Sequence, residues 1–161
     1  IVWFGPDAPH TSAYVPFYCG MTELPEIYEI GDLHTYDSES AGWTFNLMGN
    51  WMDLKFSYMI KDVQAKQKEI EDKEFAFQPA IEDAANQLYI VSPQLAVDFI
   101  TNYAVNNAYQ VVSEWKQFTG KMFAKYIDGY VDGKSVGYPD WWLKEVGYEQ
   151  GQVSGKYASN K

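Results

Sequence analysis

A chain of 161 residues has length for one ordinary domain with a real core and too little for two. Hydrophobic residues make up 47% of it and charged residues 21%, which excludes disorder for most of its length. Twelve Lys and no Arg face 22 acidic residues, a net charge of -10 that argues against a nucleic-acid partner, whose phosphates call for a basic patch.

The first 20 residues read as a hairpin: one strand over Ile1 to Phe4, a turn carrying Gly5, Pro6 and Pro9, and a second strand over Ser12 to Tyr18. Pro16 has no amide hydrogen for a ladder, so that strand belongs at a sheet edge or a bulge. Gly20 to Asp37 is acidic, holds Pro25 and Gly31 and shows no sustained period, so it reads as loop. A helix starts near Ser38 to Ser40, with Trp43, Leu47, Trp51, Leu54, Tyr58 and Val63 forming one buried stripe. It runs into Lys61 to Glu74, where alternating charges suit i,i+4 pairs on a solvated face.

A shorter helix is expected from about Phe75 to Leu88, with Pro79 in its first turn. Ser92-Pro93 is a strong start signal for a long helix whose apolar face includes Leu95, Phe99, Tyr103, Val112, Trp115, Met122 and Tyr126, with Gly120 able to bend it. Asp132-Gly133 reads as a turn, and 137–143 as a loop entering a short helix capped by Asp140. The expected division is 1–147 as one folded portion and 148–161 as a polar tail.

No window of about 18 uninterrupted apolar residues exists, so no membrane-spanning helix and no membrane partner are expected. Cys19 with His10 and His34 gives no familiar metal spacing, and no cofactor or metal is expected. Cys19 is the one attractive nucleophile by residue type. No basic residue stands near it in sequence to lower its pKa, so it reads as a buried small residue. Glu23, Glu26 and Glu29 read as solvated charges, and Asp32 with His34 as a surface pair. The aromatic excess, 17% of the chain, reads mainly as core. Tyr14 and Tyr18, or the adjacent Trp141 and Trp142, offer binding platforms as the competing reading.

Three stretches point to a family. Val2-Trp3-Phe4-Gly5 followed by Tyr14-Val15-Pro16-Phe17-Tyr18-Cys19-Gly20 and Leu24-Pro25, then Ser40-Ala41-Gly42-Trp43-Thr44-Phe45-Asn46-Leu47 with Asn50, then Gly137-Tyr138-Pro139-Asp140-Trp141-Trp142-Leu143 resemble the cysteine-type N-terminal-nucleophile dipeptidases of the dipeptidase A group. The resemblance implies an α+β fold, mainly helical here, with an N-terminal β-hairpin followed by helices as part of an αββα sandwich. It implies attack of an N-terminal cysteine thiolate on a dipeptide, with the free amine as base, and hydrolysis of the acyl-enzyme. Neither that nucleophile nor an arginine beside it is present: Cys19 lies inside the strand motif, where the family's nucleophile has no counterpart.

The chain is therefore expected to be a C-terminal fragment, inactive alone and without catalytic residues of its own. Its partners would be the missing N-terminal portion and a dipeptide in the intact enzyme, with a homo-oligomer through the strand edge as a further possibility. Asn46 and Asn50, beside Trp43, are the candidates for pocket or oxyanion support; the competing reading is that both amides bridge or cap neighbouring groups. A helical peptide- or protein-binding module with exposed aromatics is the alternative function, followed by a carbohydrate-binding module.

Overall fold

The computed structural model describes residues 1–148 and forms two compact units, 1–119 and 120–161. The expected tail falls outside the described residues, Tyr148 apart.

The first unit opens on a short antiparallel hairpin, β1 (Val2–Phe4) and β2 (Val15–Phe17), in the register Val2↔Phe17, Trp3↔Pro16 and Phe4↔Val15. The strands are shorter than expected, and β2 is an edge strand, where Pro16 is tolerated. The segment to Asp37 is loop apart from a single 3-10 turn at Glu26–Tyr28. Two bonds pin this region to the helices: the Tyr14 amide donates to Glu71 (3.2 Å), and Thr22 N–H donates to the Thr101 hydroxyl (3.2 Å).

Helix α1 spans Ala41–Met52, and the Ser40 hydroxyl accepts from the Trp43 amide to cap it. The chain leaves helical geometry at Lys55 and restarts as α2 (Phe56–Val91), so the single helix expected from Ser40 onward is two. The expected stripe is also displaced. The buried face of α1 is Ala41, Thr44, Phe45, Met48 and Met52, and it continues on α2 through Met59, Val63 and Ile70; Leu54 and Tyr58 are exposed. The large aromatics drew the stripe one position aside, because they fit a half-buried rim and the straighter Met chains fill the interior.

Helix α2 continues unbroken through Pro79, where a separate helix from about Phe75 was expected. Proline removes the bond to the carbonyl four residues back, here Phe75, which is 55% exposed and open to water. Burial on both sides of that point, Ile70 and Glu74 before and Ala85 after, keeps the helix whole. Ser92 alone, extended at φ −162°, separates α2 from α3 (Pro93–Lys125), with Pro93 as its first helical residue. The two helices pair antiparallel: Glu74 meets Asn107, and Lys66 meets Glu114. The buried face of α3 holds small residues, Ala96, Thr101, Ala104 and Ala108, then Val111, Val112 and Trp115, while Leu95 is exposed. Small side chains let the helices approach closely at that end. Trp115 lies 4.7 Å from Phe45, ring to ring, at the centre of the unit.

In the second unit, the last turns of α3 lead through a turn at Ile127–Gly129 to a hairpin, β3 (Tyr130–Val131) and β4 (Lys134–Ser135). Asp132 (φ 52°) and Gly133 (φ 76°) make the expected turn, and both left-handed residues suit a two-residue hairpin. Helix α4 (Asp140–Glu145) begins one residue earlier than expected: Pro139 is its N-cap, no side chain caps it, and Asp140 is instead an acidic residue in the first turn. Tyr138 stacks on Trp142 (5.0 Å), while Trp141 is 67% exposed. Burial and then Asp128 raise the Tyr138 pKa. Among the described residues no helix is long and apolar enough to cross a membrane.

Candidate functional site

A cavity of about 350 Å³ opens between the end of β1, the 28–33 segment and the first half of α1. Its position follows from three local features. Gly49 leaves room for the 5–12 loop to lie against α1, since an added Cβ there would stand 3.2 Å from Asp7 Oδ2 and 3.3 Å from the Thr11 hydroxyl. The loop is closed on itself by the Asp7 amide donating to Ser12 Oγ (2.8 Å). On the far side, Gly31 at φ 110° brings the chain against Ser40, where a Cβ would meet Oγ at 2.6 Å.

The aromatic walls are Phe4, Tyr28 and Trp43. Phe4 and Tyr28 contact each other (5.9 Å) and both contact Phe17. The Trp43 indole donates to the Asp32 carbonyl (2.9 Å) and meets Tyr36 edge-on. The polar floor is an amide ladder: Asn50 Nδ2 donates to Asn46 Oδ1 (2.6 Å), and Asn46 Nδ2 donates to Asp7 Oδ1 (3.4 Å).

Of the three residues singled out from sequence, Trp43 and Asn46 line the cavity; Asn50 is exposed and reaches it through Asn46. The i,i+4 spacing of the two asparagines on one helix face makes the ladder. Asp7 was missed, and Asp32, read as one of a surface pair with His34, lines the cavity. Asp7 was read as part of a Gly-Pro turn, and its meeting with Asn46 is 39 residues away in sequence, so the turn carried no signal for it.

The Asp32–His34 pair is not a side-chain pair. Asp32 Oδ1 accepts from the backbone amides of His34 (2.6 Å) and Thr35 (2.9 Å), and these bonds, the His34 one foremost, lower its pKa. Glu23, Glu26 and Glu29 are all exposed. Cys19, expected to be buried, is exposed: it sits in a turn closed by the Met21 amide on the Tyr18 carbonyl, and it does not line the cavity. Tyr14 and Tyr18 are half-buried against the helices. No group of three or more His, Cys, Asp or Glu among the described residues is arranged to hold a metal ion.

This floor can orient an amide or a carbonyl. An asparagine Nδ2 carries two hydrogens, and only one is directed at Asp7.

Searches of curated proteins and of solved structures returned no match. A family model, described as Peptidase family C69, matches residues 1–69. That segment contains every residue lining the cavity. Over residues 1–69, less than half of its length, the chain is similar to peptidase family C69.

Proposed function

We propose that the chain is a C-terminal part of a cysteine dipeptidase whose N-terminal nucleophile lies on a segment that this chain does not contain. The observation that carries the reading is the coincidence of the C69 match with a cavity whose wall and floor, Trp43 and Asn46, come from the motif that suggested dipeptidases.

In the intact enzyme the cysteine thiolate attacks the peptide carbonyl, its own amine takes the thiol proton and passes one to the leaving amine, and water releases the acyl group. Asn46 supplies a neutral donor toward the carbonyl oxygen as negative charge develops there. Asn50 and Asp7 are positioning residues: each fixes one end of the Asn46 amide, which prevents it from flipping. The aromatic walls take the apolar part of the substrate. The free edge of β1 is where the remainder of the sheet adds.

Two assays test the reading. The isolated chain, given unblocked dipeptides, shows no thiol-dependent hydrolysis; significant turnover overturns the fragment assignment. In the intact enzyme, Asn46→Ala lowers kcat by about a hundredfold, the scale of one oxyanion donor, with little change in KM or Tm. Unchanged kinetics would remove Asn46 from the site.

A further inference from the structure

Away from the cavity, the first unit seals a carboxylate in its interior. Glu74, on α2, is 2% exposed. Its Oε2 accepts from Asn107 Nδ2 (2.9 Å) and from the Tyr103 hydroxyl (3.3 Å), both on α3 and both neutral. Tyr18, just past β2, packs edge-on against Tyr103 (6.5 Å). The hydroxyls of Tyr18 and Tyr28 are fully buried with no hydrogen-bond partner among the described residues. Helices α2 and α3 therefore meet at one acidic group, and Tyr18, at the end of β2, packs on the Tyr103 ring that bonds it.

We propose that Glu74 is an acid-side clasp: in its neutral form it holds α2, α3 and the 18–28 segment together, and in its ionised form it loosens that junction. The proposal stands on the enclosure of the carboxyl by neutral groups, because a buried carboxylate met only by neutral donors recovers part of its lost hydration.

The other charged and titratable groups facing the cluster do not reverse this. Lys73, on α2, favours the ionised form and Glu114, on α3, opposes it. Lys73 also serves Glu114, at 3.3 Å. Glu82, held by Gln78 (2.8 Å), adds negative charge beside Tyr18. Burial, ahead of every other influence, raises the Glu74 pKa above 4.5, and the Asn107 and Tyr103 bonds offset it only in part. Burial and then Glu74 raise the pKa values of Tyr28 and Tyr103, so both hydroxyls stay protonated, and that of Tyr103 donates to Glu74.

The sign is fixed by linkage. A carboxyl that binds its proton more tightly in the folded chain stabilises the fold fully below about 4.5, its ordinary value, and that contribution is lost as pH rises through the higher folded value. This is the reverse of the usual paired carboxylate. A tenfold difference in proton affinity corresponds to about 3–5 °C in Tm for a chain of this length.

The test is hydrogen exchange of the 70–78 and 100–108 segments in the intact protein, corrected for intrinsic rates, between pH 4.5 and 7.5. Wild-type protection falls about tenfold or more over this range, and in Glu74→Gln, which keeps the shape without the charge, it stays level. Equal pH profiles for the two proteins, or a level wild-type profile, overturn the proposal. Where Glu74→Gln does not fold, Tyr103→Phe decides. Removing a donor to the carboxylate moves the loss of protection to higher pH, and an unmoved profile overturns the proposal.

Discussion

The Trp43 indole N–H donates to the main-chain carbonyl of Asp32 at 2.9 Å, and this bond ties the irregular 29–37 segment to the first turn of α1. It fixes one cavity wall against another, across 11 residues of chain with little regular structure. Trp43→Phe keeps most of the ring and removes the donor. The expected cost is about 1 kcal/mol in unfolding free energy. In the enzyme proposed above, KM rises more than kcat falls, because the wall shifts while the Asn46 ladder remains; steady-state kinetics beside a denaturant titration check both.

At the same corner, Ser40 caps α1, and Gly31 leaves no room for a Cβ beside the Ser40 hydroxyl. Ser40→Ala removes the cap and costs about 1 kcal/mol. Gly31→Ala costs more, since it combines a left-handed backbone with a Cβ placed 2.6 Å from Oγ. Thermal unfolding ranks the two variants, and an equal or smaller effect for Gly31→Ala contradicts the close approach.

Phe45 is fully buried and lies against Trp115, itself fully buried. Phe45→Ala leaves a cavity at the junction of α1 and α3 and costs about 3–5 kcal/mol, a large share of the stability of a single domain. Phe45→Leu, which keeps most of the volume, retains the fold with a smaller loss in the same denaturant titration.

Glu114 behaves oppositely to Glu74. Burial opposes its charge, yet the bonds from Gln110 (3.0 Å) and from Lys73 and Lys66 (3.3 Å each) outweigh it and hold its pKa below 4.5. Its stabilisation is present above 4.5 and fades as pH falls through the lower folded value. Lys66 answers at the other end: burial works against its charge, but Glu69 and Glu114 raise its pKa above 10.5, so its share is lost only in strong base. Glu114→Gln is therefore less stable than wild type at pH 7, and the gap in Tm narrows toward pH 3. A gap that stays constant rules out this network as a source of acid sensitivity.

The elements legible in the sequence were those with local causes. Ser40 as a cap, Ser92-Pro93 as a start and Asp132-Gly133 as a turn are each set by a side chain or ring acting on its own backbone, and all three stand in the structure. Where tertiary packing outweighed a local preference, the reading failed. Pro79 did not divide α2, because burial continues on both sides of it, and the stripe of α1 fell on Phe45, Met48 and Met52 rather than on the tryptophans.

The site divides in the same way. Two asparagines four apart on a helix are visible in one dimension, and the motif around Trp43 suggested the family that the 1–69 match bears out. That Asn46 is held by Asp7 depends on Gly49, which lets the 5–12 loop lie on α1, whereas Asp32 spends its carboxylate on the amides just after it and Cys19 faces solvent. By itself the sequence determined the caps, the turns, the acidic balance and the family resemblance, because these need no more than neighbouring residues. Only the tertiary structure decided which carboxylates are enclosed and which are solvated, because burial comes from chain segments tens of residues apart.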